Sequence, residues 1–303
     1  MSFLHPTGQF NNSAKDYKQI QAKPLASSMG AEIQGVNIQD VNEESFAEIQ
    51  DALFRHKMIF FKNQNITHDE QEAFTRLFGE IGTDAYTTGS KDNKNVQPVI
   101  KEADTKTKMI FGSGWHTDSP FLKQPPAISL LYGVDIPPYG GDTMWCNCVL
   151  AYNNLSDTMK QVIAPLRVLM NATNVIEAME KDSESTGEIK KHGNMDMKVD
   201  KSSMLQGSYH PMVRTHPISK EKSLFVDRTY SQGIEGMSAD EAKAILDFLA
   251  TFATQPSFTC RLRWEPNTFV MWDNRICLHQ AFNDYDGFRR EMYRSTVLGE
   301  IPS

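Results

Sequence analysis

The chain predicts an α+β fold that is mostly β: a sheet-rich core closed as a double-layered barrel, with helices packed around it. Three observations lead there. Short runs rich in Val, Ile, Leu, Phe and Trp recur with turn residues between them, as buried strands do. Two capping boxes, Thr67-His68-Asp69-Glu70 and Ser238-Ala239-Asp240-Glu241, each open a stretch with apolar residues at helical spacing. No internal repeat or low-complexity tract divides the 303 residues, so one domain over 1–303 is the economical reading, with 1–30 as a loosely attached N-terminal segment.

Taken in order, residues 58–62 (Met58, Ile59, Phe60, Phe61, Lys62) read as a buried strand. The helix behind Thr67 runs through Ala73, Phe74, Leu77 and Phe78. Residues 83–114, rich in Thr, Lys, Asp, Asn and Gly without a clear period, read as a long loop. Residues 127–134 and 143–148 read as strands separated by the turn Pro137-Pro138-Tyr139-Gly140-Gly141. With a strand carrying His116 they predict a largely antiparallel sheet. Residues 156–163 suggest a helix. Residues 177–201 are charged and hold Ser183, Ser185, Gly187 and Gly193; they read as a second long excursion, for which a lid and a solvated insertion weigh about equally. The helix behind Ser238 places Ala242, Ile245, Leu246, Leu249 and Phe252 on one face, and Pro256 stops it. Residues 258–264, 269–272 and 292–298 return to strand.

Composition narrows the function. Apolar residues at 40% and charged residues at 23% are ordinary for a globular chain. The net charge of −7 argues against a general nucleic-acid or anionic-membrane surface. No apolar run approaches the roughly 18 residues of a membrane span, and the first residues lack the basic and apolar regions of a signal peptide, so a soluble cytoplasmic protein is expected. Cys146, Cys148, Cys260 and Cys277 form no paired framework, which fits reduced thiols.

The chemistry starts at His116 and Asp118. Side chains at i and i+2 on a strand point the same way, so this pair can reach one ion together, with His279 as a distant third ligand brought by the sheet. Two imidazoles and one carboxylate fill one face of a metal octahedron and leave positions open for a cosubstrate and oxygen. An H-x-D pair is a weak signal by itself in a chain with eight His. Arg290 and Arg294 strengthen it: on a strand they share a face, and two inward guanidiniums beside a metal make an anion trap. The alternative is that Arg289, Arg290 and Arg294 sit on a solvated edge. Two His and one Asp could also hold Zn(II) in a hydrolase, though Thr143, Arg290 and the long loops would then lack a role. A non-catalytic binding protein on the same scaffold is a third reading, against which the complete donor set argues.

Several motifs in order now match a known family. Trp115-His116-Thr117-Asp118, Gly140-Gly141-Asp142-Thr143, His210 to Pro217 with Leu224-Phe225-Val226, Trp272-Asp273-Asn274-Arg275 leading to His279, and Arg290 with Arg294 before Thr296-Val297-Leu298-Gly299 resemble the taurine dioxygenase family of Fe(II)- and 2-oxoglutarate-dependent enzymes. The resemblance spans about residues 31–300. It implies a double-stranded β-helix (jelly-roll) core with surrounding helices and long active-site lid loops. It implies His116, Asp118 and His279 as iron ligands, Thr143 and Arg290 as the holders of the distal carboxylate of 2-oxoglutarate, and Arg294 as the receiver of the substrate anion. Tyr230 falls near an aromatic wall of the substrate pocket, and Val175 near another. Fe(II), 2-oxoglutarate and molecular oxygen would serve to hydroxylate a small organic anion, a sulfonate, sulfate ester or carboxylate, with succinate and carbon dioxide as co-products. No nucleic-acid or membrane partner is implied, and a homo-oligomer stays open.

Substrate identity is where the chain departs from the pattern. Taurine-specific members place a His and a Tyr in the loop after Phe-Gly-Glu or Phe-Gly-Asp, and an Asn four residues before the first iron ligand. Here that loop runs from Phe78 to Tyr86 without a His, and the last position is Gly112. An anion other than taurine is expected. Other residues take plainer roles: His210 and His216 structural hydrogen bonding, His192 solvation, Cys277 a packed thiol, Trp115 and Trp272 packing, and Asp273 and Asn274 turn and supporting contacts around the ligands.

Overall fold

Strands buried on both faces read as unbroken apolar runs, and the two central ones do. Met58–Phe61 is buried at all four positions and Thr268–Asp273 at all six. In the computed structural model, which describes residues 10–83, 85–105, 112–186, 191–192, 195–196 and 201–303, they lie side by side in a seven-stranded sheet. Its order is Gln21–Pro24, Ala31–Gln34, Met58–Phe61, Thr268–Asp273, Ile128–Asp135, Arg290–Val297 and Gln97–Lys101. All pairings are antiparallel except Ala31–Gln34 with Met58–Phe61.

Side-chain alternation gives this sheet two different faces. Ile59, Phe61, Phe269 and Met271 pack against Ile49, Ala52 and Leu53 of helix Glu43–His56 and Phe74 of helix His68–Arg76. Met58, Phe60, Val270 and Trp272 face the other way, toward a three-stranded sheet of Thr259–Leu262, Thr143–Asn147 and Cys277–Ala281. Trp145, Leu262 and Cys277 meet them there. A third apolar cluster joins helix Ala239–Ala253 to Cys148–Asn153 and to the segment around Tyr230. No helix of the described residues is long and apolar enough to cross a membrane. All four cysteines are buried and free.

Both expected capping boxes are present: Thr67 and Glu70, then Ser238 and Glu241, bond reciprocally at the helix starts. A third, Asn42 with Ser45, opens Glu43–His56, a helix not expected from the sequence. Four expectations need correction. The helix behind Thr67 ends at Arg76, with Ala73 and Leu77 exposed. Its buried face carries Gln71 instead, because the Gln71 amide donates to Tyr293 O at 3.0 Å and Ser295 Oγ at 3.1 Å. Residues 83–114 are not all loop, since Gln97–Lys101 is an edge strand whose Pro98 and mixed burial hid it. Cys148 does not end a strand; it begins helix Cys148–Asn153, capped by the Asn147 side chain. The region 177–201 starts inside helix Thr173–Thr186 and continues through the short pair Lys191–His192 and Met195–Asp196 to helix Lys201–Gln206. Residues 84, 106–111, 187–190, 193–194 and 197–200 of these two regions, the side chain of His192 and the first nine residues lie outside the described residues.

Candidate active site

His116 and His279 are joined through their main chains. His116 N–H donates to His279 O at 3.0 Å and His279 N–H to His116 O at 2.7 Å. His279 sits on strand Cys277–Ala281, opposite Trp145. The expected strand around His116 is only this single bridge, because Ser119 takes a φ of 43° and Pro120 follows. Asp118 nonetheless turns to the same point. Its Oδ1 lies 3.8 Å from His116 Nε2 and 3.7 Å from His279 Nε2.

Burial decides the charge states. The three residues are 5%, 5% and 7% exposed. Burial pushes both imidazoles down, His279 to about 3, further aided by its neighbour His116. Burial would raise Asp118, but the charges of Arg294 and the two histidines and the Ser129 hydrogen bond outweigh it and hold the carboxyl at about 2. Two neutral imidazoles and one carboxylate remain, a donor set suited to a divalent cation. His116 Nδ1 lies 2.6 Å from Gly114 O, which only accepts, so the proton sits on Nδ1 and the Nε2 lone pair faces the site. The His279 ring packs on Trp272, with centroids 4.7 Å apart.

The arginines alternate as a strand requires. Arg290, Met292 and Arg294 of Arg290–Val297 are buried, while Arg289 points out to Glu102, Asp135 and Glu291. Only Arg289 occupies the solvated edge. Arg294 NH1 lies 3.3 Å from Asp118 Oδ1. Arg290 lies over Trp264 and Tyr285, 5.7 and 5.9 Å from the ring centres. Its Nε and NH2 are buried and have no hydrogen-bond partner among the described residues. Burial depresses its pKa, which the Tyr285 phenol opposes. Trp264 also reaches Thr143, donating from Nε1 to Oγ1 at 2.9 Å, so Thr143 and Arg290 meet around one indole.

Tyr230 closes another side. Its ring centre is 6.2 Å from that of His116 and 5.5 Å from that of Phe121, and its hydroxyl bonds the Tyr86 hydroxyl at 2.7 Å. Val175 belongs to the same apolar cluster. At Gly112, with φ at 80°, an added Cβ would stand 3.1 Å from His116 Cε1. His210 Nε2 bonds Pro120 O at 2.8 Å, and His216 Nε2 lies 3.0 Å from Asp273 Oδ2. Cys277 Sγ packs 3.4 Å from Lys57 O, and Trp115 packs at the edge of an apolar cluster. Ser129, Trp264, Tyr285, Tyr86 and Phe121 belong to the surroundings of the site without having been singled out from sequence. Only Ser129 left a trace, as the lone hydroxyl in an otherwise apolar strand start at Ile128–Asp135.

A family model described as "Taurine catabolism dioxygenase TauD, TfdA family" matches residues 21–296. The chain is 32% identical to an alkylsulfatase of Acinetobacter baylyi over 286 residues, 94% of this chain and 86% of that protein. It is 31% identical to an alpha-ketoglutarate-dependent sulfate ester dioxygenase of Pseudomonas putida, over 94% of this chain and 91% of that protein. Among solved structures, a taurine dioxygenase from Burkholderia xenovorans superposes with a TM-score of 0.77 at 32% identity, covering 94% of this chain and 91% of that one.

Proposed function

This chain belongs to the taurine catabolism dioxygenase TauD, TfdA family and is a 2-oxoglutarate-dependent dioxygenase using Fe(II) and oxygen; on that premise we propose that His116, Asp118 and His279 hold the iron, Thr143 and Arg290 the cosubstrate, and Arg294 a small anionic substrate. The observation that carries the assignment is the convergence of two neutral imidazoles and an ionised carboxylate within 4.8 Å, beside two buried arginines. The zinc-hydrolase and non-catalytic readings find no support in this family. The proposal extends to a double-stranded β-helix (jelly-roll) core forming one domain, supported by the two sheets facing each other across Trp145 and Trp272. It extends to a cytoplasmic location, supported by four free thiols.

Held by His116, Asp118 and His279, Fe(II) would supply, with 2-oxoglutarate and oxygen as cosubstrates, the oxidising power to hydroxylate a C–H bond, with succinate and carbon dioxide as co-products. The chain's own residues bind and aim. Arg290 receives the distal carboxylate of 2-oxoglutarate in a charge-assisted pair. Thr143 Oγ1 already accepts from Trp264, so its own proton is free to be donated to the same carboxylate. Arg294, beside Asp118, anchors the substrate's sulfonate, sulfate or carboxylate group and so sets which carbon stands near the iron. Tyr230, Tyr86 and Phe121 exclude water around that carbon. Gly112 offers no side chain to an amine, which supports an anion other than taurine.

Anaerobic addition of Fe(II) and 2-oxoglutarate is expected to give the weak visible charge-transfer band of the chelate. A screen of alkylsulfonates, alkylsulfates, aryloxyalkanoates and taurine for stoichiometric succinate then identifies the substrate. Asp118→Ala should lose both the band and turnover. Retained turnover would refute the ligand set, and tight coupling on taurine would refute the substrate reading.

A further inference from the structure

We propose that Ser129 and Asn274 are positioning residues that confine Asp118 to one coordinating oxygen, an inference that rests on Asp118 being an iron ligand. The direction of each proton orders these contacts. The Trp272 indole N–H can only donate, and Asn274 Oδ1 receives it at 2.9 Å. That contact fixes the orientation of the amide. The other end, Asn274 Nδ2, therefore donates, and Ser129 Oγ receives it at 2.8 Å. Ser129 has one proton left to give, and it goes to Asp118 Oδ2. An ionised carboxylate only accepts, so every link from the indole to Asp118 has one permitted direction.

The relay stands on rigid backbone. Ser129 is fully buried on a strand paired on both sides, opposite Trp272 and Thr296. The Asn274 main chain is pinned at both ends: its N–H donates to Ala127 O at 2.8 Å, and its carbonyl accepts from Thr117 Oγ1 at 2.9 Å. Thr117 lies between the two ligands of the H-x-D pair, so the same asparagine steadies that segment as well.

With Oδ2 committed to Ser129, Asp118 offers Oδ1, which lies 3.8 and 3.7 Å from the two imidazole nitrogens and whose contact with Arg294 NH1, at 3.3 Å, is a long one. Three protein donors leave three of six positions, as many as a chelating 2-oxo acid and oxygen need. A carboxylate released from Ser129 could turn and supply both oxygens. It would then fill the position that oxygen requires.

Infrared difference spectra on Mn(II) binding, with the protein's aspartate carboxyls labelled with carbon-13, report whether a bound carboxylate uses one oxygen or two. The wild type should show the wide separation of antisymmetric and symmetric stretches typical of one-oxygen binding. In Ser129→Ala the separation should narrow and kcat should fall about 10–100-fold. Ser129→Thr, which keeps the hydroxyl, should restore both. Ser129→Cys, nearly isosteric with a weak donor, carries the same test if the alanine variant does not fold. An unchanged separation in the Ala or Cys variant, whatever happens to kcat, overturns the relay. Absence of any Mn(II)-dependent aspartate band in the wild type overturns instead the assignment of Asp118 as a ligand, and the relay with it.

Discussion

Arg290 presents the sharpest energetic question in the molecule. A guanidinium 5% exposed, with two nitrogens lacking hydrogen-bond partners among the described residues, is costly to bury unless an anion arrives to pair with it. If 2-oxoglutarate is that anion, Arg290→Ala should weaken its binding by about 2–5 kcal/mol in an anaerobic titration. An effect near zero would mean the pocket is filled by something else. Tyr230 poses a milder case. Tyr230→Phe removes one buried hydroxyl pair with Tyr86, worth about 0.5–1.5 kcal/mol. The expected outcome is a several-fold rise in KM for the anionic substrate with 2-oxoglutarate affinity unchanged; a change confined to the cosubstrate would misplace the wall. Residues with a motif around them, such as His116, Asp118, Arg290 and Arg294, could be read from spacing. Trp264 and Tyr285 could not, because an isolated ring has no periodicity to announce it, and Ser129 left no more than one hydroxyl in an apolar strand start.

Among the elements, the turn joining Ile128–Asp135 to Thr143–Asn147 packs closely against Asp284 and the Arg290 side chain. Gly140 and Gly141 take φ values of 74° and 67°, and a Cβ on Gly140 would stand 2.4 Å from the Asp284 backbone oxygen. Gly140→Ala should therefore cost about 1–3 kcal/mol, read as a lower Tm. At Gly141 the nearest atoms are Arg290 Cδ and Nε and Tyr285 Cδ1, all at 3.3 Å, so Gly141→Ala should raise the KM for 2-oxoglutarate as well. A Gly141→Ala variant with normal KM would show that Arg290 yields without consequence. Two-sided burial made the central strands legible, and reciprocal caps marked two helices. The edge strand Gln97–Lys101 escaped because pairing on one side only, with Pro98 in it, leaves no apolar run. The segment at His116 was legible as chemistry but not as structure, since one bridged residue places the ligand without a strand.

Across the whole molecule, a buried ionic network ties distant segments together. Asp273 bonds Arg275 and lies 3.0 Å from His216 Nε2, Arg275 NH1 lies 3.6 Å from Glu300, and Glu300 also pairs with the fully buried Arg214. Burial would raise Asp273, but Arg275 and His216 outweigh it and keep its carboxyl well below the ordinary range. A folded-state pKa below the unfolded one means that the native state binds fewer protons. Its contribution is full above roughly pH 4 and is lost as the pH falls further. Asp273→Asn should cost about 3–5 kcal/mol at neutral pH, since it leaves buried charges unmatched. It should also flatten the decline of Tm below pH 4; parallel profiles for variant and wild type would contradict this. The paired main-chain bonds between His116 and His279 have a consequence of another kind. The peptide backbone acts as a fixed gauge that sets the separation of the two histidine Cα atoms independently of any cation. Ions should then be interchangeable at room temperature, with chelation and reloading by manganese or cobalt leaving the far-ultraviolet circular dichroism unaltered throughout the cycle.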